Sequence, residues 1–239
     1  ATSGFLLDLV EKDYNYRELV FDEINVSENL LTCANLKKLL PISILFQTGY
    51  LTISAIQTEP NKLAQTYTLV WPNEEVKCSF SQEILESMTG SDNLILLIEK
   101  FKKPIIKSFE TLNAQDFQEY FPLIYACIPY NALEARESNY QAIFILAMRL
   151  MGFDISGEDR TSWGSADAVI RQQKQTIIVE IKYAKKSENV NKKVDAALKQ
   201  IKDKKYWQKH ISPNKKIILL GLVFANKGKV VKGKFEEMK

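Results

Sequence analysis

Histidine is almost missing from this chain of 239 residues, in which His210 stands alone. That scarcity excludes a multi-histidine metal centre and argues against a Ser-His-Asp hydrolase. Cysteine is scarce as well. Cys33, Cys78 and Cys127 are far apart, odd in number and without ligand spacing. They read as inert thiols of a reducing, cytoplasmic compartment rather than as a disulfide or zinc framework. No apolar run approaches the roughly 18 residues of a membrane-spanning helix, so no membrane association is expected. The opening stretch Ala1-Thr2-Ser3-Gly4-Phe5-Leu6-Leu7-Asp8 lacks a basic leader and carries an early acid, unlike a signal peptide. It also lacks an initiator methionine, from which a processed product or a piece of a longer protein is expected. Internal repeats and low-complexity segments are absent.

What is present is the composition of an ordinary globular protein, 46% hydrophobic and 26% charged, and long enough for one large or two small domains. The net charge of +3 conceals a strong asymmetry. Residues 1–130 hold 10 basic against 17 acidic side chains, and residues 131–239 hold 22 against 12. A basic half suggests a polyanionic partner, and the acidic half suits docking to a protein.

Periodicity orders the chain into two regions, 1–90 and 91–239. In the first, Leu36 to Phe46 reads as a helix, Tyr50–Ser54 and Thr66–Trp71 alternate as strands, and Pro72-Asn73-Glu74-Glu75 opens a helix with acids in its first turn. Helix, hairpin and helix together suggest a mainly helical, winged-helix-like module. Further helices are expected over Asn93–Lys102, from Pro104 onward, and over Asn113–Cys127. From Glu134 a helix pattern runs to Leu150 and stops at Gly152. Strands Phe153–Ser156, Ala166–Ile170 and Gln175–Tyr183 follow, then a lysine-rich helix over Asn191–Tyr206, then strands Ile217–Phe224 and Lys229–Phe235. Glu158 stands before the polar turn Asp159-Arg160-Thr161-Ser162 and reads as capping it, with a place facing the acids as the alternative. The expected fold class is α/β, a mixed sheet flanked by helices.

The chemistry concentrates in Ala166-Asp167-Ala168-Val169 and Glu180-Ile181-Lys182. Glu180 closes the apolar run Thr176-Ile177-Ile178-Val179, and on a strand Glu180 and Lys182 share a face. Charges at the tip of so apolar a strand are expensive unless paired or bound to metal. Carboxylates of this kind suit Mg²⁺ or Mn²⁺. Read from the residues alone, a turn acid at Asp167 and a Glu180 paired only with Lys182 stay open. Lys185, Lys186, Lys192, Lys193, Lys199, Lys202, Lys204 and Lys205 give a dense basic surface, suited to phosphates and insensitive to base sequence. Trp163, Tyr183 and Trp207 read as packing residues.

With Glu137 on the long helix, Gly164-Ser165-Ala166-Asp167, Glu180-Ile181-Lys182 and Gln200 on the following helix, residues 134–239 resemble the PD-(D/E)XK nuclease superfamily. That resemblance implies a restriction-endonuclease-like αβββαβ core and hydrolysis of phosphodiester bonds, with DNA as substrate. It implies Asp167 and Glu180 as ligands of Mg²⁺ or Mn²⁺, helped by the Ile181 carbonyl, with Lys182, Glu137 and Gln200 in the catalytic set. Lys185, Lys186, Lys199, Lys204 and Tyr206 would contact nucleic acid. Tyr206 lies six residues after Gln200, off the spacing of the glutamine-tyrosine motif in the exonuclease branch, so endonuclease against exonuclease stays open. Segments Leu45–Ile53 and Trp71–Val76 resemble the tail of the AAA-ATPase-like domain that precedes such nucleases in bacterial proteins. No Gly-x-x-x-x-Gly-Lys-Ser/Thr loop is present, so ATP hydrolysis by this chain is not expected. The alternative is an inactive nuclease-fold module that binds nucleic acid or a protein, against which the intact Asp167, Glu180 and Lys182 argue.

Overall fold

Apolar strands and amphipathic helices alternate in the computed structural model, which describes residues 22–31, 41–58, 65–91, 93–128, 136–161 and 164–238. The chain divides into two compact units, residues 1–84 and 85–239. Cys33, Trp163 and the starts of the helices expected from Leu36 and Glu134 lie outside the described residues.

In the first unit, strand β1 (Glu23–Ser27) leads into a short helix α1 (Glu28–Leu31), and α2 spans Pro41–Gln47. The hairpin β2 (Thr52–Thr58) and β3 (Gln65–Val70) follows, and helix α3 (Glu74–Thr89) carries the chain across the boundary. The expected order of helix, hairpin and helix is present. An unforeseen strand joins it: β1 pairs antiparallel with β3, giving the order β1-β3-β2. Leu69 and Leu45 are fully buried, and Trp71 lies against Phe80 with ring centroids 5.1 Å apart.

The second unit starts with α4 (Leu94–Thr111) and α5 (Ala114–Ala126). The sequence suggested a break at Pro104, yet α4 runs through it. An internal proline costs about 3 kcal/mol through its missing N–H and its clash with the preceding turn. Ile98, Ile105 and Phe109 fall on one stripe across it and are fully buried, each worth about 1.5–3 kcal/mol. Packing therefore wins. Asn113 caps α5, its side chain accepting from the Gln115 N–H.

Helix α6 (Glu137–Leu150) is followed by β4 (Asp154–Thr161), β5 (Gly164–Arg171) and β6 (Gln175–Ala184). Helix α7 (Val190–Asp203) then leads to β7 (Lys216–Ala225) and β8 (Val230–Glu237). The sheet has the order β4-β5-β6-β7-β8. Only β6 and β7 pair in parallel, and α7 is the crossover that a parallel pair requires. Both strands are covered on two faces, which explains their unbroken apolar runs. On one face α7 sets Val194, Leu198 and Ile201 against Ile178, Leu219 and Val223. On the other, Phe121, Tyr125 and Tyr140 gather around Phe224. The approach of α7 to β7 is close at Gly221, where an added Cβ would lie 2.6 Å from the Val194 carbonyl oxygen.

Candidate active site

Strand pairing itself creates the site. The β5–β6 ladder runs from Arg171↔Thr176 to Ala168↔Val179 and stops there, although Asp167 and Glu180 are the next partners in register. The strands part at the two acids. The Ile181 N–H donates to Asp167 Oδ2 at 2.6 Å, and the Asp167 main-chain carbonyl accepts from Gln141 Nε2 at 2.8 Å. A carboxylate thus supplies the acceptor that the parted strand does not.

Glu180 is 1% exposed. Its Oε1 accepts from Lys182 Nζ at 2.7 Å, whereas Oε2 is buried without a hydrogen-bond partner. Lys182 Nζ also reaches Glu137 Oε1 at 3.4 Å, and Glu137 Oε2 accepts from the Tyr183 N–H at 3.2 Å. Glu137 stands in the first turn of α6, where the helix dipole favours an acid. Tyr183 is held in turn by stacking on Tyr140, with centroids 5.0 Å apart.

Burial pushes both carboxyls up. For Asp167, desolvation outweighs the Ile181 N–H and the Lys182 charge, and the neighbouring Glu137 and Glu158 add to the rise. For Glu180, desolvation and the Asp167 charge outweigh the ion pair with Lys182. The Lys182 ammonium is raised as well, for a different reason. Burial alone would lower it, but Glu180, Glu137 and Asp167 hold it above the ordinary lysine range. The site is a buried, unevenly compensated cluster in which the lysine stays cationic.

Among the described residues no group of three or more His, Cys, Asp or Glu side chains could hold a metal ion by itself. Asp167 and Glu180 are neighbouring carboxylates at the parted strands, and Mg²⁺ commonly uses one or two carboxylates with waters and substrate phosphate. The partnerless Glu180 Oε2 is the atom that fits such a cation.

Asp167, Glu180, Ile181, Lys182 and Glu137 thus come together. Gln200 is half-buried on a flank of α7, beside its buried face of Val194, Ala197, Leu198 and Ile201, and it makes no hydrogen bond with those residues. Lys185, Lys186, Lys199 and Lys204 are exposed, without an ion pair among the described residues. Part of the basic surface is neutralised locally, Lys202 by Glu236 at 2.6 Å and Lys193 by Glu188 at 3.1 Å. Tyr206 corrects the expectation of a nucleic-acid contact. It is 3% exposed in the cluster of Ala166, Ile178 and Ile201, and its ring covers Gly164, where an added Cβ would meet Tyr206 Oη at 3.1 Å. Its size and apolar ring serve the underside of β5.

Near Asp167, Gln141 went unnoticed in the sequence and Glu158 was read as a turn cap. Gln141 lies one turn after Glu137 and shares its helix face, a spacing that would have found it. Glu158 belongs to no turn: β4 continues to Thr161, and Glu158 stands across from Asp167.

A mixed five-stranded sheet with helices on both faces and acids at the parting of two strands defines a restriction-endonuclease-like domain. Residues 135–234 match the model of the PD-(D/E)XK nuclease superfamily. Over 98% of its length the chain is 26% identical to a protein of Azotobacter chroococcum mcd 1 named "Uncharacterized protein in vnfD 5'region". The chain spans 44% of the length of that curated relative.

Proposed function

We propose that the second unit is a metal-dependent nuclease that hydrolyses phosphodiester bonds in DNA. The observation that carries this reading is the pair of buried acids at the end of the β5–β6 ladder, with Glu180 Oε2 partnerless and Lys182 alongside. The choice of DNA rests on the superfamily resemblance.

Asp167, Glu180 and the Ile181 carbonyl would hold Mg²⁺ or Mn²⁺, which when bound supplies Lewis acidity and a more acidic water. Lys182 keeps its proton, so it serves as a cation and hydrogen-bond donor to the attacking water or the non-bridging phosphate oxygens. Glu137 aims Lys182 and ties its strand to α6 through the Tyr183 N–H. Water oxygen bonds to phosphorus, one P–O ester bond breaks, and the leaving oxygen takes a proton to end as a hydroxyl. Gln200, Lys185, Lys186, Lys199 and Lys204 would bind backbone phosphates on the α7 side. The first unit, part of which resembles the tail of an ATPase-like domain, would serve as a docking module for a protein partner.

Cleavage of circular and linear DNA with Mg²⁺ or Mn²⁺, against EDTA, tests the reading. Lys182→Ala should lower the rate by about 10²–10³-fold, the usual loss for one transition-state donor. Asp167→Ala should abolish cleavage and leave salt-sensitive binding. Metal-dependent cleavage that survives both substitutions would remove these residues from the chemistry.

A further inference from the structure

Glu158 sits in a conformation that a strand does not ask for. The β4–β5 ladder is in register on either side of it, at Gly157↔Ala168 and Asp159↔Ala166, and the intervening position opposite Asp167 drops out. The φ of Glu158 is +45°, in the left-handed region that disfavours any residue with a Cβ. Such a conformation persists only where the surroundings over-determine it. Here the next residue supplies the grip. Asp159 is bound by His210 Nε2 at 2.7 Å and Lys209 Nζ at 2.9 Å, and Lys209 Nζ also donates to the Arg160 carbonyl at 2.7 Å.

The strained residue makes no use of its side chain within the protein. Glu158 is exposed and has neither hydrogen bond nor ion pair among the described residues. A strained, unpartnered acid opposite Asp167, without compensation inside the molecule, suits a cation supplied from outside. The buried, partnerless Glu180 Oε2 independently indicates the same occupant. Direct coordination by three acids does not suit the arrangement, because no three such side chains among the described residues could hold a metal.

We propose that Glu158 is a positioning residue for a hydrated divalent cation at Asp167 and Glu180, its carboxylate accepting hydrogen bonds from the waters that the cation retains. Mg²⁺ and Mn²⁺ keep several waters, and carboxylates that orient such waters set affinity from outside the coordination shell. The proposal rests on the metal-dependent reading of the site.

Mn²⁺ titration of the metal-free full chain by calorimetry, with thermal melts in EDTA, tests it without recourse to activity. Glu158→Gln removes the charge at constant shape, and Glu158→Gly also relieves the φ. Both should bind Mn²⁺ at least about 10-fold more weakly than wild type. Glu158→Asp, which tolerates the left-handed region and keeps the charge, should recover most of the affinity. Glu158→Gly should melt higher than wild type in EDTA, which shows that its weaker binding does not come from unfolding. Wild-type affinity in both Glu158→Gln and Glu158→Gly, with Asp167→Ala still losing Mn²⁺, would overturn the role of Glu158 and leave the site standing. Loss in Glu158→Gly alone would assign the effect to the backbone and overturn it too. A wild-type chain that binds no Mn²⁺ would overturn this proposal together with the reading beneath it.

Discussion

Asp167 carries two duties that pull against each other. Its Oδ2 satisfies a main-chain donor, while its charge is poorly solvated beside Glu180, Glu137 and Glu158. A carboxyl whose folded value is raised destabilises the native state as pH climbs through that value, here about 6, and costs nothing below the unfolded range. Asp167→Asn keeps an acceptor for the Ile181 N–H and removes the charge. In EDTA at pH 8 it should melt higher by roughly 2–4 °C, corresponding to about 1 kcal/mol, and the difference should vanish near pH 4. Calorimetric melts at the two pH values measure this. Equal melting at pH 8 would mean that the buried charge is compensated. At this scale the acids were legible in the sequence, because charges closing an apolar run demand a reason. Tyr206 was not, since a tyrosine after a lysine-rich helix looks the same in sequence whether its ring lies outward or under β5.

Between elements, the approach of α7 to the sheet governs the setting of the site. Gly221 is the parallel register partner of Glu180, and it admits α7 at a distance that no Cβ would allow. Gly221→Ala should push α7 outward and cost about 1–3 kcal/mol, read as a lower denaturant midpoint at unchanged slope. An unaltered midpoint would mean that the helix yields freely. The β5–β6–α7–β7 arrangement could be read in advance, since two unbroken apolar strands around an amphipathic lysine-rich helix have few other solutions. Three features could not. The apolar stripe through Pro104 outweighs a local breaker. Strand β1 owes its existence to pairing with β3, some forty residues downstream. The polar stretch Asp159–Thr161 is strand because β5 supplies its hydrogen bonds and because His210 and Lys209 grip Asp159.

For the molecule as a whole, charge segregates along the chain, with 22 basic side chains in residues 131–239 against 10 in residues 1–130. Among the described residues no helix is long and apolar enough to cross a membrane. If exposed Lys199 and Lys204 each neutralise a phosphate, replacing either by Gln should reduce the slope of log K against log salt by about 1 and weaken binding alike for all sequences. Fluorescence anisotropy over a salt series gives that slope, and an unchanged value would remove the two lysines from the interface. The parting of β5 and β6 also has a consequence for descent. In this fold the acid at 167 closes a gap in main-chain hydrogen bonding, so a lineage that abandoned catalysis could not drop it without leaving the Ile181 N–H orphaned. Retired copies of the domain should therefore drift toward asparagine at this position before alanine, keeping the outline of a site long after its chemistry is gone.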